Sequence, residues 1–317
     1  MKATSFAAFA AALAMPLVSS AAVLFSEDFD VDPTANWTVN DSGLSDILAD
    51  FNYDYSAIGV PAAPGGSSTT GLRMTANNSG GVFSGFSVSP TGQSFAGNYK
   101  VEFDMWQNYV GPVGPGGSGT TQLSSFGVGT NGATAIWPGS SPKESVGFSV
   151  TLDGGSAADF RVYTSAVSTG HLDGDPVYAS ASRNGNDAYY TTPFPGGVSA
   201  PAAQLALFPG QTGVTDAGEI GFEWRRNVIE VLNGVATWTV DGTVLATVDT
   251  STLTLGGGNI FFGHADTNSS SSADPNDSLL NVTLIDNVVV SEVIPEPASL
   301  GLVALGLGLA AAARRRV

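Results

Sequence analysis

Glu102 and Asp104 stand two residues apart in Glu102-Phe103-Asp104-Met105-Trp106-Gln107. In a strand that spacing puts both carboxylates on one face. A carboxyl pair about 5–5.5 Å apart can cleave a glycosidic bond with retention. The next polar position, however, is Gln107, and an amide cannot donate a proton as an acid does. Asp104 cannot serve as nucleophile and acid together, so the run reads as the polar outer face of a strand. Trp106 shares that face, and Trp137 precedes a Pro-Gly turn. These two are the tryptophans expected at the surface, where an indole beside polar groups suits a neutral glycan. Trp224 and Trp238 run in phase with aliphatic residues and are expected in the core. The segments His171-Leu172-Asp173-Gly174-Asp175 and His264-Ala265-Asp266 could ligate metal. Without supporting Cys or Glu spacing, two histidines read as polar loop tips. No Gly-x-Ser-x-Gly nucleophile elbow occurs.

The elements that must carry these residues read as strands. Val101, Phe103 and Met105 alternate with Glu102, Asp104 and Trp106, the period of two that a half-buried strand requires. Val146, Phe148 and Val150 repeat it, as do Ile220, Phe222 and Trp224. Ala236 to Val248 forms the clearest hairpin, turning at Asp241-Gly242, where both central residues need φ > 0. Further strands are expected at Phe160–Tyr163, Asn259–Phe262 and Leu280–Val290. With no helices of 10–15 residues between strands, an antiparallel sandwich is expected over a parallel α/β sheet. The glycine-rich segment 111–119 lacks a lysine and is no phosphate cradle.

Between Glu27 and Glu296 lie all 28 acidic residues but only seven of the 11 basic ones, a net of −21. Such a field repels nucleic acid and anionic membrane surfaces. It suits solubility, divalent cations and neutral glycans. With no cysteine, neither disulfides nor thiolate metal sites are available.

Both ends look like addresses. Met1-Lys2, the apolar stretch Phe6–Val18 and Ser19-Ser20-Ala21-Ala22 have the layout of a signal peptide, here residues 1–21, cut by signal peptidase. At the other end Pro295-Glu296-Pro297 precedes a small, apolar run, 298–313, and then Arg314-Arg315-Arg316. The prolines break the preceding backbone, and terminal arginines favour the cytoplasmic side of a membrane. Sixteen residues make roughly 24 Å of helix against a hydrocarbon core of about 30 Å, a marginal transmembrane span. The order Pro-Glu-Pro, apolar helix, arginines resembles the PEP-CTERM sorting signal, here 293–317. That resemblance implies processing by an exosortase-type enzyme and transient anchoring in the inner membrane. It further implies a final place on the surface, or in the extracellular matrix, of a Gram-negative bacterium.

The region between, 22–292, resembles the concanavalin A-like jelly-roll group, which includes laminin G-like, lectin and glucanase domains. The resemblance rests on a first strand Leu24-Phe25-Ser26-Glu27-Asp28-Phe29, the Trp238 hairpin and a last strand Leu284-Ile285-Asp286-Asn287-Val288. It implies an all-β antiparallel jelly-roll sandwich whose first and last strands lie together. By position it implies a structural calcium between the terminal strands, held by Glu27 or Asp28 together with Asp286, whose oxygens are of the kind calcium takes. Residues 102–107 also resemble the Glu-x-Asp-x-x-Glu strand of laminarinase-type hydrolases, with Gln107 in place of the second carboxylate. The expected function is therefore a non-catalytic, structural or glycan-binding exported protein, with exopolysaccharide as partner. The competing expectation is a glycoside hydrolase acting on exopolysaccharide through Glu102 and Asp104.

Overall fold

The computed structural model describes residues 21–111, 120–141, 143–267 and 275–294. The expected signal peptide up to residue 20, the apolar run 298–313, and Pro295, Glu296, Pro297, Arg314, Arg315 and Arg316 lie outside them. A strand-rich body spans Val23–Val293. In chain order its strands are β1 (Val23–Glu27), β2 (Trp37–Asn40), β3 (Ile47–Asp54), β4 (Thr70–Ala76), β5 (Ser84–Pro90), β6 (Tyr99–Asn108) and β7 (Gln122–Thr130). They continue as β8 (Val146–Thr151), β9 (Phe160–Thr164), β10 (Arg225–Leu232), β11 (Val235–Val240), β12 (Thr243–Asp249), β13 (Asn259–Asp266) and β14 (Val282–Glu292). Short helices α1 (Ala188–Thr191), α2 (Ala202–Leu207) and α3 (Asp277–Leu280) sit in the connections.

The strands form two antiparallel sheets, as a jelly-roll sandwich does. The larger runs β12-β11-β10-β6-β14-β4-β3, with β1 also paired to β14, and the smaller runs β2-β5-β13-β7-β8-β9. Alternation along β6 explains how they pack. Val101, Phe103 and Met105 are at most 1% exposed and join the core between the sheets. Phe103 meets Phe126 and Phe262 of the smaller sheet at ring separations of 5.0 and 4.9 Å. Trp238 is fully buried there, its indole N–H satisfied by Asn227 Oδ1 at 3.0 Å. A second apolar cluster joins Trp106 and Leu284, on the opposite parity of β6 and β14, to the loop residues Tyr109 and Phe222.

The hairpin falls where the sequence places it. β11 and β12 join through Asp241 (φ 48) and Gly242 (φ 82), both in the left-handed region. The segment Ile220-Phe222-Trp224 does not form the expected strand: Phe222 adopts φ 58, which breaks an extended run, and β10 begins only at Arg225. Its alternation comes from a loop whose Phe222 ring packs on Tyr109 at 4.5 Å.

Strand β14 determines where a cleft opens. Its first half pairs with β4 through Thr283–Ile285, and its second half pairs with β1 through Val288–Ser291. Between them the register against β6 slips at Asp286–Val289, and Asn287 takes φ 50. A bulge of this kind re-aims side chains and interrupts pairing. The edge left between β4 and β1 is met by Tyr55 and the 61–65 loop rather than by another strand.

Candidate functional site

At that interruption lies a cleft of about 800 Å³. Its walls are Ser26, Glu27 and Asp28 at the end of β1, Pro64 and Gly65, Asp104 of β6, Trp224 and Arg226 at the start of β10, Asp241, and Asn287–Val289 of the bulge. Arg226 and Asp104 are directly opposed across β10 and β6, and Asp286 is opposed to Asp104 across β6 and β14. Asp104 is only 2% exposed, so a bare charge there would be costly. Both of its oxygens are engaged: Oδ1 accepts from Arg226 Nη1 at 3.2 Å, and Oδ2 from Asn287 Nδ2 at 2.8 Å. The bulge's left-handed turn thus brings the Asn287 amide onto Asp104. Burial pushes the Asp104 carboxyl up, while Asn287 and Arg226 pull it back.

Asp286 sits behind the bulge, 3% exposed, and accepts from the Asn287 N–H at 2.7 Å and the Tyr55 hydroxyl at 3.0 Å. Burial, reinforced by Asp104, pushes its carboxyl up to about 7. Trp224 forms one side of the cleft, half-buried. Its indole N–H donates to the Pro61 carbonyl at 2.7 Å, and its ring leans on Tyr55 and Trp106 at 5.2 and 5.8 Å. The turn residue Asp241 closes the far end. Its Oδ1 accepts from the Arg226 N–H at 2.9 Å and its Oδ2 from Arg225 Nη1 at 3.1 Å.

Several expectations change. Trp106 is not at the surface: it is 2% exposed, wedged in the second apolar cluster, with its N–H on Asn108 Oδ1. It shares the outer parity of β6, but the covering loops bury that face. Trp137 is 7% exposed and packs on Phe83 at 4.9 Å beside Ala265. Neither offers the free indole plane expected of it, whereas Trp224, expected in the core, lines the cleft. Glu102 is not among the cleft residues and pairs with Lys100 at 2.7 Å.

Gln107 points to the opposite side of β6, between the sheets, donating to Ser124 Oγ at 2.9 Å. His264 is no loop tip. It lies within β13, fully buried, bridging Thr283 Oγ1 at 2.8 Å and Gln122 Oε1 at 2.6 Å, and burial lowers its pKa to about 3. His171 does lie in a loop, held by Asp175 at 2.8 Å. The carboxylates expected to hold calcium do not converge. Glu27 and Asp28 accept from the Phe29 and Asp30 N–H groups, Asp286 is spent on Tyr55 and Asn287, and no group of three metal-ligating side chains gathers among the described residues. Oxygen ligands for calcium must converge six to eight strong.

The cleft residues that sequence reasoning passed over are Trp224, Arg226, Asp241 and Asn287. Arg225-Arg226 was a visible signal, since only seven basic residues fall within the acidic body. The Asn287 contribution depends on a register slip that no local pattern announces.

A model of the PEP-CTERM protein-sorting motif matches residues 293–316. The chain carries a PEP-CTERM sorting motif. That motif marks export with a C-terminal membrane-anchored signal and is the substrate signal for exosortase processing. Among the described residues no helix is long and apolar enough to cross a membrane, and the expected span 298–313 lies outside them. A search of curated proteins finds no match. Among solved structures, one from work on endo-acting O-glycanases of the human gut microbiota is 13% identical. It aligns over 86% of this chain and 100% of its own, with a TM-score of 0.45. A Bacillus subtilis protein of unknown function with a galectin-like fold is 10% identical over 86% and 96%, with a TM-score of 0.41. A Bacillus licheniformis β-glucanase is 12% identical over 88% and 100%, with a TM-score of 0.39. At such values no activity is read from them, and function is argued from this chain's own cleft.

Proposed function

We propose that the exported body is a non-catalytic glycan-binding module and that the cleft at the β14 bulge receives the sugar. The observation that carries this reading is Trp224. Its half-buried indole is pinned to the Pro61 carbonyl, beside the polar set Asp104, Arg226 and Asn287. Sugar rings present a C–H face that packs on an indole and a hydroxyl rim that needs fixed donors and acceptors. Both kinds of group line one concave surface here. The absence of catalysis is supported by the commitments of Asp104. A carboxylate whose two oxygens are held by Arg226 and Asn287 is poorly placed to attack an anomeric carbon. Export through the sorting motif would bring the module to exopolysaccharide at the cell surface or in the matrix, after removal of its address sequences by signal peptidase and an exosortase.

A glycan array with the purified protein tests this reading. Trp224→Ala should weaken binding at least tenfold, about 1.4 kcal/mol, while the fold persists by circular dichroism. Unchanged binding in that variant would remove the cleft from the account. Release of reducing ends from a bound glycan would replace the module with a hydrolase.

A further inference from the structure

The cleft's charges are unevenly balanced, and the imbalance indicates what kind of sugar it takes. Asp104 is neutralised by Arg226 at 3.2 Å, and Asp241 by Arg225 at 3.1 Å. Glu27 and Asp28, on the β1 wall, have no basic side chain within ion-pair distance among the described residues. Asp28 Oδ1 accepts the Asp30 N–H; Glu27 Oε1 accepts the Phe29 N–H, its carboxyl lies against the Trp37 indole, and burial pushes it up. Counting formal charges, the lining holds Glu27, Asp28, Asp104 and Asp241 against Arg226 alone. An aromatic ring also lines this cleft, and its negative π face attracts cations. A neutral hexose would use the indole and the Asp104–Arg226–Asn287 set but leave the β1 carboxylates unanswered. An anionic glycan would be repelled by them.

Resting on the glycan reading above, we infer that the cleft selects cationic sugars. Its ligand class is a polysaccharide of amino sugars with free primary amines, bound with the sugar face on Trp224 and the ammonium toward Glu27 and Asp28. The cleft, walled by protein, strengthens such a pairing over a fully exposed one.

The test titrates the full-length protein with glucosamine oligosaccharides and with their N-acetylated counterparts of equal length. Free-amine sugars should bind about tenfold more tightly. That preference should shrink as salt is raised and vanish in the double variant Glu27→Gln, Asp28→Asn, whose amide oxygens still accept the same backbone N–H groups. Trp224→Ala should weaken both sugars alike. Equal affinity for the two sugars, or a preference for the acetylated one, overturns the charge selection and leaves the glycan reading standing. Binding of neither sugar, together with a blank array, overturns the glycan reading itself.

Discussion

Asp104 and Glu219 are both carboxyl groups almost sealed from water, 2% and 7% exposed, yet their surroundings are opposite. Asp104 has an arginine on one oxygen and an amide on the other. Glu219 Oε2 accepts the Asp216 N–H at 2.8 Å and the Tyr109 hydroxyl at 3.5 Å, while its buried Oε1 has no hydrogen-bond partner among the described residues. Its charged neighbours are Asp216, Asp153 and Asp159, all of its own sign. Gly154 (φ 57) passes so close above the Glu219 carboxyl that a Cβ there would overlap it. Burial first, and then these acids, push Glu219 up to about 8. Depth alone therefore does not decide whether a carboxyl keeps its charge; the donors supplied around it do. The β14 bulge supplies one of those donors to Asp104, and no strand irregularity does so for Glu219.

The largest effect should come from taking that support away. Arg226→Met leaves Asp104 buried with only Asn287 to hold it, and unpaired buried charges are costly. We expect a loss of about 3 kcal/mol in urea denaturation at neutral pH, with glycan affinity lost as well. A change below about 1 kcal/mol would mean that water, not Arg226, carries the Asp104 charge.

Glu219 should respond in the other direction. A carboxyl raised in the folded state favours folding while it is protonated, and that advantage is lost as pH rises through its folded value. For Glu219 the window runs from 4.5, its ordinary value, to about 8. Glu219→Gln imitates the protonated form at every pH, so its stability should fall less across that window, by on the order of 2 kcal/mol relative to the parent. Melting temperatures of the two proteins measured at steps of pH should diverge toward the alkaline end. Parallel curves would show that Glu219 is ionised throughout. Asp286, pushed up to about 7, adds a slope of the same sign that both proteins share.

How far the sequence reached follows from which interactions are local. Period-two alternation fixed the inner face of β6, and Asp241-Gly242 fixed the hairpin, because strand pleat and turn dihedrals are set within a few residues. The pairing of β1 with β14 followed from likeness to a known architecture rather than from any local pattern. Trp106 shows where parity fails. Its position on the outer face was legible, but α2 and the loops that bury that face come from distant sequence. Trp224 fails in the opposite sense, because the alternation Ile220-Phe222-Trp224 belongs to a loop turned at Phe222. His264 could not be read as buried until Thr283 and Gln122, 19 and 142 residues away, were seen to satisfy both ring nitrogens. Arg226 and Asn287 became site residues only when β10 and β14 flanked β6.

The smallest effect should come from Glu102, two residues from Asp104 on the same strand. Its partner Lys100 lies 2.7 Å away, closer than Arg226 lies to Asp104. Distance alone would rank this pair the stronger. The two cations are similarly exposed, Lys100 at 35% and Arg226 at 39%, so the difference lies in the carboxylates: Glu102 is 23% exposed and Asp104 only 3%. Water and salt screen an exposed pair, and holding two long side chains in register costs rotamer freedom. Lys100→Met should therefore shift stability by no more than about 0.5 kcal/mol, and by less at high salt. It should leave glycan affinity unchanged, because Glu102 does not line the cleft. If Lys100→Met instead matched Arg226→Met in urea, proximity rather than burial would govern the charges of this sheet face, and the special standing given to Asp104 would fall.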